Sequence, residues 1–178
     1  MEFVNSFFQK DEKGKTGYER SGNRANLDRQ APANLRVRLE GVDLKKYEND
    51  NKPTYGQNYC LFRFMILEAL EGNEQDVVED TEYSIFFNLD TKTRSAAACA
   101  KEMESMAVLI ADLLGESREA LLRTGKETIS TFLTENGTDA LGNEFRLYTP
   151  EPNIDKQGRK WYRFEAEIPA PAEKKAKK

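Results

Sequence analysis

The feature that most constrains the fold lies between residues 35 and 44. Leu35, Val37 and Leu39 alternate with Arg36, Arg38 and Glu40. A period of two in hydrophobicity marks a strand with one face buried and the other wet. The phase then flips, and Val42 and Leu44 carry the apolar face past Gly41. A glycine at such a phase change signals a β-bulge, and a bulged strand bends. A chain whose first regular element is a bent, half-wet strand is committed to a curved sheet.

The same logic recurs downstream. After the turn-rich stretch NDNKPTYGQN comes the most apolar run, YCLFRFMILEAL at 59–70. Its aromatic and β-branched content favours a central strand over a helix. Residues 68–82 hold seven acids and no base, which predicts a solvated acidic connection. A third strand follows, with Tyr83, Ile85, Phe87 and Leu89 alternating with Ser84, Phe86 and Asn88. A fourth is expected at Phe145, Leu147 and Thr149. A fifth is expected in KWYRFEAEIPA, with Tyr162, Phe164, Ala166 and Ile168 inward and Trp161, Arg163, Glu165 and Glu167 outward.

One long helix interrupts the strands at about 95–114. Thr93 or Ser95 can cap its start, and Gly115 sits at its stop. Cys99, Met103, Met106, Ile110 and Leu113 recur at spacings of four and three, which makes one apolar stripe facing a sheet. A short helix is expected after Ser117, ending at Gly125. Residues 126–142 stay open between strand and helix: threonines alternate with apolar residues, yet Ile129, Phe132 and Leu133 also fit a helical turn.

These elements predict an α+β, mostly β, domain over 34–170. The expected architecture is a five-stranded OB-like barrel with the long helix between strands three and four. Residues 1–33 read as a flexible arm, and 171–178 as a disordered basic tail.

Several function classes lose ground on composition. The chain of 178 residues has no histidine, so the commonest general base and transition-metal ligand are both missing. No GxxxxGK[ST] phosphate loop is present. Asp43, Glu48 and Asp50 cluster near a loop, but beside Lys45, Lys46 and Lys52 they read as solvated charges. The expectation is a binding domain without catalysis, metal or cofactor. Cys60 and Cys99 read as buried thiols rather than a disulfide. No apolar run approaches the ~20 residues of a membrane helix. The stretch MEFVNSFFQK lacks the pattern of a signal peptide. The chain is therefore read as cytoplasmic, in the host cytoplasm if viral.

Net charge is −4, so a nucleic-acid ligand would need a local basic surface. Single strands are held by bases stacking on aromatic faces and by basic groups tracking phosphates. Phe86, Tyr148 and Trp161 are aromatics out of phase with the core. Arg36, Arg38, Arg63, Arg146 and Arg163 lie on the same strands, and Lys156, Arg159 and Lys160 load the last hairpin loop. The same arginines also neighbour Glu40, Glu165 and Glu167, and pairing across the sheet is the structural alternative.

The strand order resembles that of phage-encoded OB-fold proteins that bind single-stranded DNA in replication and recombination. The helix SAAACAKEMESMAVLIADLLG and the closing segments LGNEFRLYTPEP and GRKWYRFEAEIP carry the same resemblance, over about 33–170. It implies binding of exposed single-stranded DNA, or RNA, with no cofactor. Such proteins are expected to end in an acidic tail, whereas this sequence ends in AEKKAKK, which would attract nucleic acid instead. The competing expectation is a structural or assembly protein, a virion component or complex subunit. Phe3, Phe7 and Phe8 would then hook a neighbour and could build a homo-oligomer.

Overall fold

The structure, a computed structural model, describes residues 26–169. Five antiparallel strands form the main sheet: β1 (Asn34–Lys46), β2 (Asn58–Ala69), β3 (Glu82–Asn88), β4 (Glu144–Tyr148) and β7 (Glu165–Glu167). Their spatial order is β3-β2-β1-β4-β7. Between them, β5 (Asn153–Ile154) and β6 (Lys160–Trp161) make a separate two-stranded hairpin. Three helices fill the connection from β3 to β4: α1 (Ala96–Leu114), α2 (Arg118–Thr124) and α3 (Lys126–Thr134).

The alternation seen in sequence is the alternation of burial. Leu35, Val37, Leu39 and Val42 of β1 are fully buried, as are Cys60, Phe62, Phe64 and Ile66 of β2. They share one apolar cluster with Ile85 and Phe87 of β3, Met106, Leu109 and Ile110 of α1, and Phe132 of α3. The bulge expected at Gly41 is present: Leu39 faces Phe64 and Gly41 faces Arg63, leaving Glu40 as the extra residue. A second bulge in β2 leaves Leu67 unpaired, so both long strands bend.

Helix α1 starts and stops where its caps dictate. The Ser95 hydroxyl accepts from the Ala98 amide, and Gly115 ends the helix at φ 68°. That left-handed conformation suits glycine because it has no Cβ to clash. Met106, Ile110 and Leu113 are buried as the stripe predicts, but Met103 is 46% exposed and Cys99 half-buried. The C-terminal half is buried on more than one side, because α2 and α3 pack against it as well as the sheet. Residues 126–134 settle as helix, with Phe132 and Leu133 turned inward. The fully buried Cys60 has its thiol pushed up to about 12 by burial, so it stays protonated.

Four expectations need correction. The sheet does not close into a barrel. The outer edge of β3 is met by Asn26 and Leu27, whose amide donates to the Ser84 carbonyl at 2.8 Å. The outer edge of β7 is met by α1, where Asp112 accepts from the Ala166 amide at 2.9 Å. With both edges engaged, β3 and β7 do not pair. The fifth strand is also split, since its first residues leave to pair in the β5–β6 hairpin and only 165–167 join the sheet. Tyr162, Phe164 and Ala166 still face inward, but Ile168 is 79% exposed, while Glu165, expected outside, is buried in an ion-pair cluster. The acidic connection is not merely solvated. Gln75 is buried, and its Nε2 donates to the Asp28 and Ala31 carbonyls at 2.6 and 2.8 Å. Residues 26–33, expected as part of a flexible arm, are packed, with Leu27 and Ala33 in the core. Residues 1–25 and the basic tail lie outside the described residues, and so do Phe3, Phe7 and Phe8.

Candidate nucleic-acid interface

Strand register decides which outward side chains become neighbours. Arg36 of β1 faces Glu68 on one side and Arg146 of β4 on the other. Arg38 faces Met65 and Glu144, and Arg63 of β2 lies between Gly41 and Ser84. Phe86 of β3 faces Leu61, and Tyr148 of β4 faces Asn34 and Glu165. Arg36, Arg38, Arg63, Phe86, Arg146 and Tyr148 therefore share the outward face of the main sheet. Lys156, Arg159, Lys160 and Trp161 sit apart, on the β5–β6 hairpin.

The expected arginines, on that face and beyond it, are already partnered. Arg38 reaches Glu40 at 2.7 Å, and Arg63 holds Asp43 at 2.8 Å and Glu82 at 3.2 Å. Arg146 pairs with Glu167 at 2.6 Å, Arg159 with Asp155 at 2.7 Å, and Arg163 with Glu165 at 2.7 Å. Arg36 is the loosest, 3.7 Å from Glu68. Exposed pairs are worth ~0–1 kcal/mol, so a phosphate can displace them, whereas Arg163 is held by the buried Glu165; together they leave little net positive field. Two of the expected stacking rings are occupied on one face. The Arg146 guanidinium lies 4.5 Å from the Tyr148 ring centroid, and that of Arg29 lies 5.3 Å from Trp161. Arg29 also donates to the Phe86 carbonyl at 2.6 Å and to Glu102 at 2.9 Å. Its burial lowers its pKa, against the opposing pull of Glu102.

A different aromatic group stands at the other end of the sheet. Tyr47, just past β1, lies 4.8 Å from the Tyr59 ring of β2, and Tyr59 lies 5.7 Å from Phe86 of β3. The three half-exposed rings make a continuous row across three segments. The β1–β2 connection folds back at Tyr47, whose amide donates to Gln57 and whose carbonyl accepts from Gly56, each at 2.9 Å. That closure presents exposed Lys45, Lys46 and Lys52 along a groove of about 650 Å³ that Tyr47 and Tyr59 also line. No carboxylate pairs with these lysines among the described residues.

Sequence reasoning found Phe86 and missed Tyr47 and Tyr59. The signal for Tyr59 was present, because it is one step out of phase with Cys60, Phe62 and Phe64. Tyr47 sits in a turn-rich stretch, where no periodicity points to it. Asp43, considered as a metal ligand, is the partner of Arg63, and no group of three metal-ligating side chains occurs among the described residues. Among those residues no helix is long and apolar enough to cross a membrane. Comparison with protein-family models, with curated proteins and with solved structures gives no match for this chain.

Proposed function

We propose that this chain is a single-stranded DNA-binding protein, acting in replication or recombination like the phage proteins its strand order resembles, without catalysis or cofactor. The row Tyr47–Tyr59–Phe86 beside Lys45, Lys46 and Lys52 carries the proposal. Aromatic rings in a row supply stacking for successive bases, and flanking lysines supply phosphate contacts. The strand order β3-β2-β1-β4-β7 supports it too, being the order of an OB barrel opened between its third and fifth strands. OB folds bind oligonucleotides on the face of strands two and three and on the loop joining strands one and two. The row lies on β2, β3 and the β1–β2 connection, which supports the reading. The β5–β6 hairpin, with Lys156, Lys160 and Trp161, would extend the path, and the paired arginines contribute less.

Fluorescence anisotropy with labelled oligo-dT in a salt series tests this. Binding should be present at low salt and fall steeply as salt rises. Tyr59→Ala and Phe86→Ala should each weaken it by about 1–3 kcal/mol, the worth of one stacked base. Replacing Lys45, Lys46 and Lys52 together by alanine should flatten the salt dependence by up to about two in slope. No binding at low salt, or full binding by Tyr59→Ala, would overturn the proposal.

A further inference from the structure

Strand register sets four charged side chains in one line across the outward face: Glu68 of β2, Arg36 of β1, Arg146 of β4 and Glu167 of β7. Two arginines are thus directly opposed on adjacent strands, and like charges so placed are destabilising. Arg146 finds acceptors on its own side. Its Nη1 donates to Glu167 at 2.6 Å and its Nε to Asn34 Oδ1 at 2.9 Å, with the guanidinium over the Tyr148 ring. Arg36 has no such acceptor. Its Nε is enclosed without a hydrogen-bond partner, and Glu68 stands 3.7 Å away, too far to accept. Among the described residues every other arginine side chain donates at least one hydrogen bond. The Arg36 side chain is nonetheless 43% exposed, so a ligand lying on the sheet can meet it.

We propose that Arg36, with Arg146 beside it, is a second contact for the bound strand and takes one of its backbone phosphates. This rests on the single-strand-binding reading above. A phosphate supplies both the acceptor that Arg36 lacks and a negative charge for two opposed guanidiniums. The protein does not supply that charge itself, since Glu68 and Glu167 flank the pair and no carboxylate stands between the two arginines in the line. The position also suits one continuous strand. Tyr59 of the aromatic row faces Lys45 at one end of the β1–β2 ladder, and Glu68 faces Arg36 near the other. From residue 59 to residue 68 a strand rises at most about 30 Å. Oligonucleotides at the upper end of the ~4–16 nucleotides held by OB folds cover that distance.

Anisotropy titrations of the full chain with labelled oligo-dT of that length, in a salt series, test the inference. Arg36→Gln should weaken binding roughly fivefold at low salt and lower the salt slope by about 0.7, the value of one phosphate on a single strand. Arg36→Lys keeps the charge and should keep the wild-type slope. Thermal unfolding separates a ligand contact from a structural one. Arg36→Gln relieves the repulsion from Arg146 and should not lower the midpoint. Unchanged affinity and slope in Arg36→Gln would overturn the inference while leaving binding on the aromatic row intact. A lowered midpoint in that variant would make Arg36 a structural partner of Glu68 and overturn it as well. A midpoint rise with inorganic phosphate that Arg36→Gln abolishes, with oligo-dT affinity unchanged, would assign the site to a free anion instead of the strand. No binding of oligo-dT by wild type at low salt would overturn the underlying reading, and this inference with it.

Discussion

Arg63 lies across the backbone at Gly41, in space that any side chain at position 41 would fill. A Cβ there would collide with the Arg63 guanidinium, which is engaged with Asp43 and Glu82. Those two carboxylates raise the Arg63 pKa against a desolvation penalty that lowers it. Gly41→Ala should therefore displace Arg63 and cost about 1 kcal/mol, read as a lower midpoint in urea unfolding. In an Arg63→Ala background the same change should cost less, because the collision is gone; equal costs in the two backgrounds would sink the explanation. The glycine was legible in the sequence as a bulge, because a phase change is local. Its second role was hidden, since Arg63 is a distant residue brought opposite by strand register.

Helix α1 shows the same division at the scale of an element. Its limits were legible to within a residue, because Ser95 and Gly115 act on backbone groups within one turn. Its attachment to the sheet was not legible. Asp112, half-buried on α1, accepts from the Ala166 amide and takes two hydrogen bonds from Arg118, at 2.7 and 2.8 Å. Arg118 also reaches Glu165 at 2.9 Å, so one guanidinium ties α2 to both α1 and β7. Asp112→Ala should cost about 2 kcal/mol, since it orphans a strand-edge amide and half-exposed Arg118 keeps only part of its pairing. Asp112→Asn keeps an acceptor for Ala166 and should cost about half as much. Thermal unfolding of the two variants checks the order, and equal losses would mean that the edge amide contributes nothing.

At the scale of the whole molecule, the segment before β1 bridges β3 and the stretch that leads from β6 into β7. Leu27 bonds to Ser84 on one side, and the Arg29 carbonyl accepts from the Tyr162 amide at 2.8 Å on the other. Gln75 clamps this segment by three hydrogen bonds to Asp28 and Ala31. Gln75→Ala should cost about 1–3 kcal/mol by leaving those groups unpaired. Hydrogen exchange at the Leu27 amide should rise well above the change at core amides such as Phe64. Uniform acceleration at both sites would instead mean global destabilisation without a separable latch.

The sequence by itself determined the limits of the long strands, the bulge at Gly41, the bounds of α1 and the inward sets of the strands apart from Leu44 and Ile168, which are exposed. Each follows from periodicity or capping chemistry acting over a few residues. Only the tertiary structure decided that the sheet stays open, that 126–134 are helical, that the strand arginines meet carboxylates, and that Tyr47, Tyr59 and Phe86 align. These depend on register between segments tens of residues apart. A shift of one residue exchanges the faces of a strand, so no local pattern can specify which outward side chains meet.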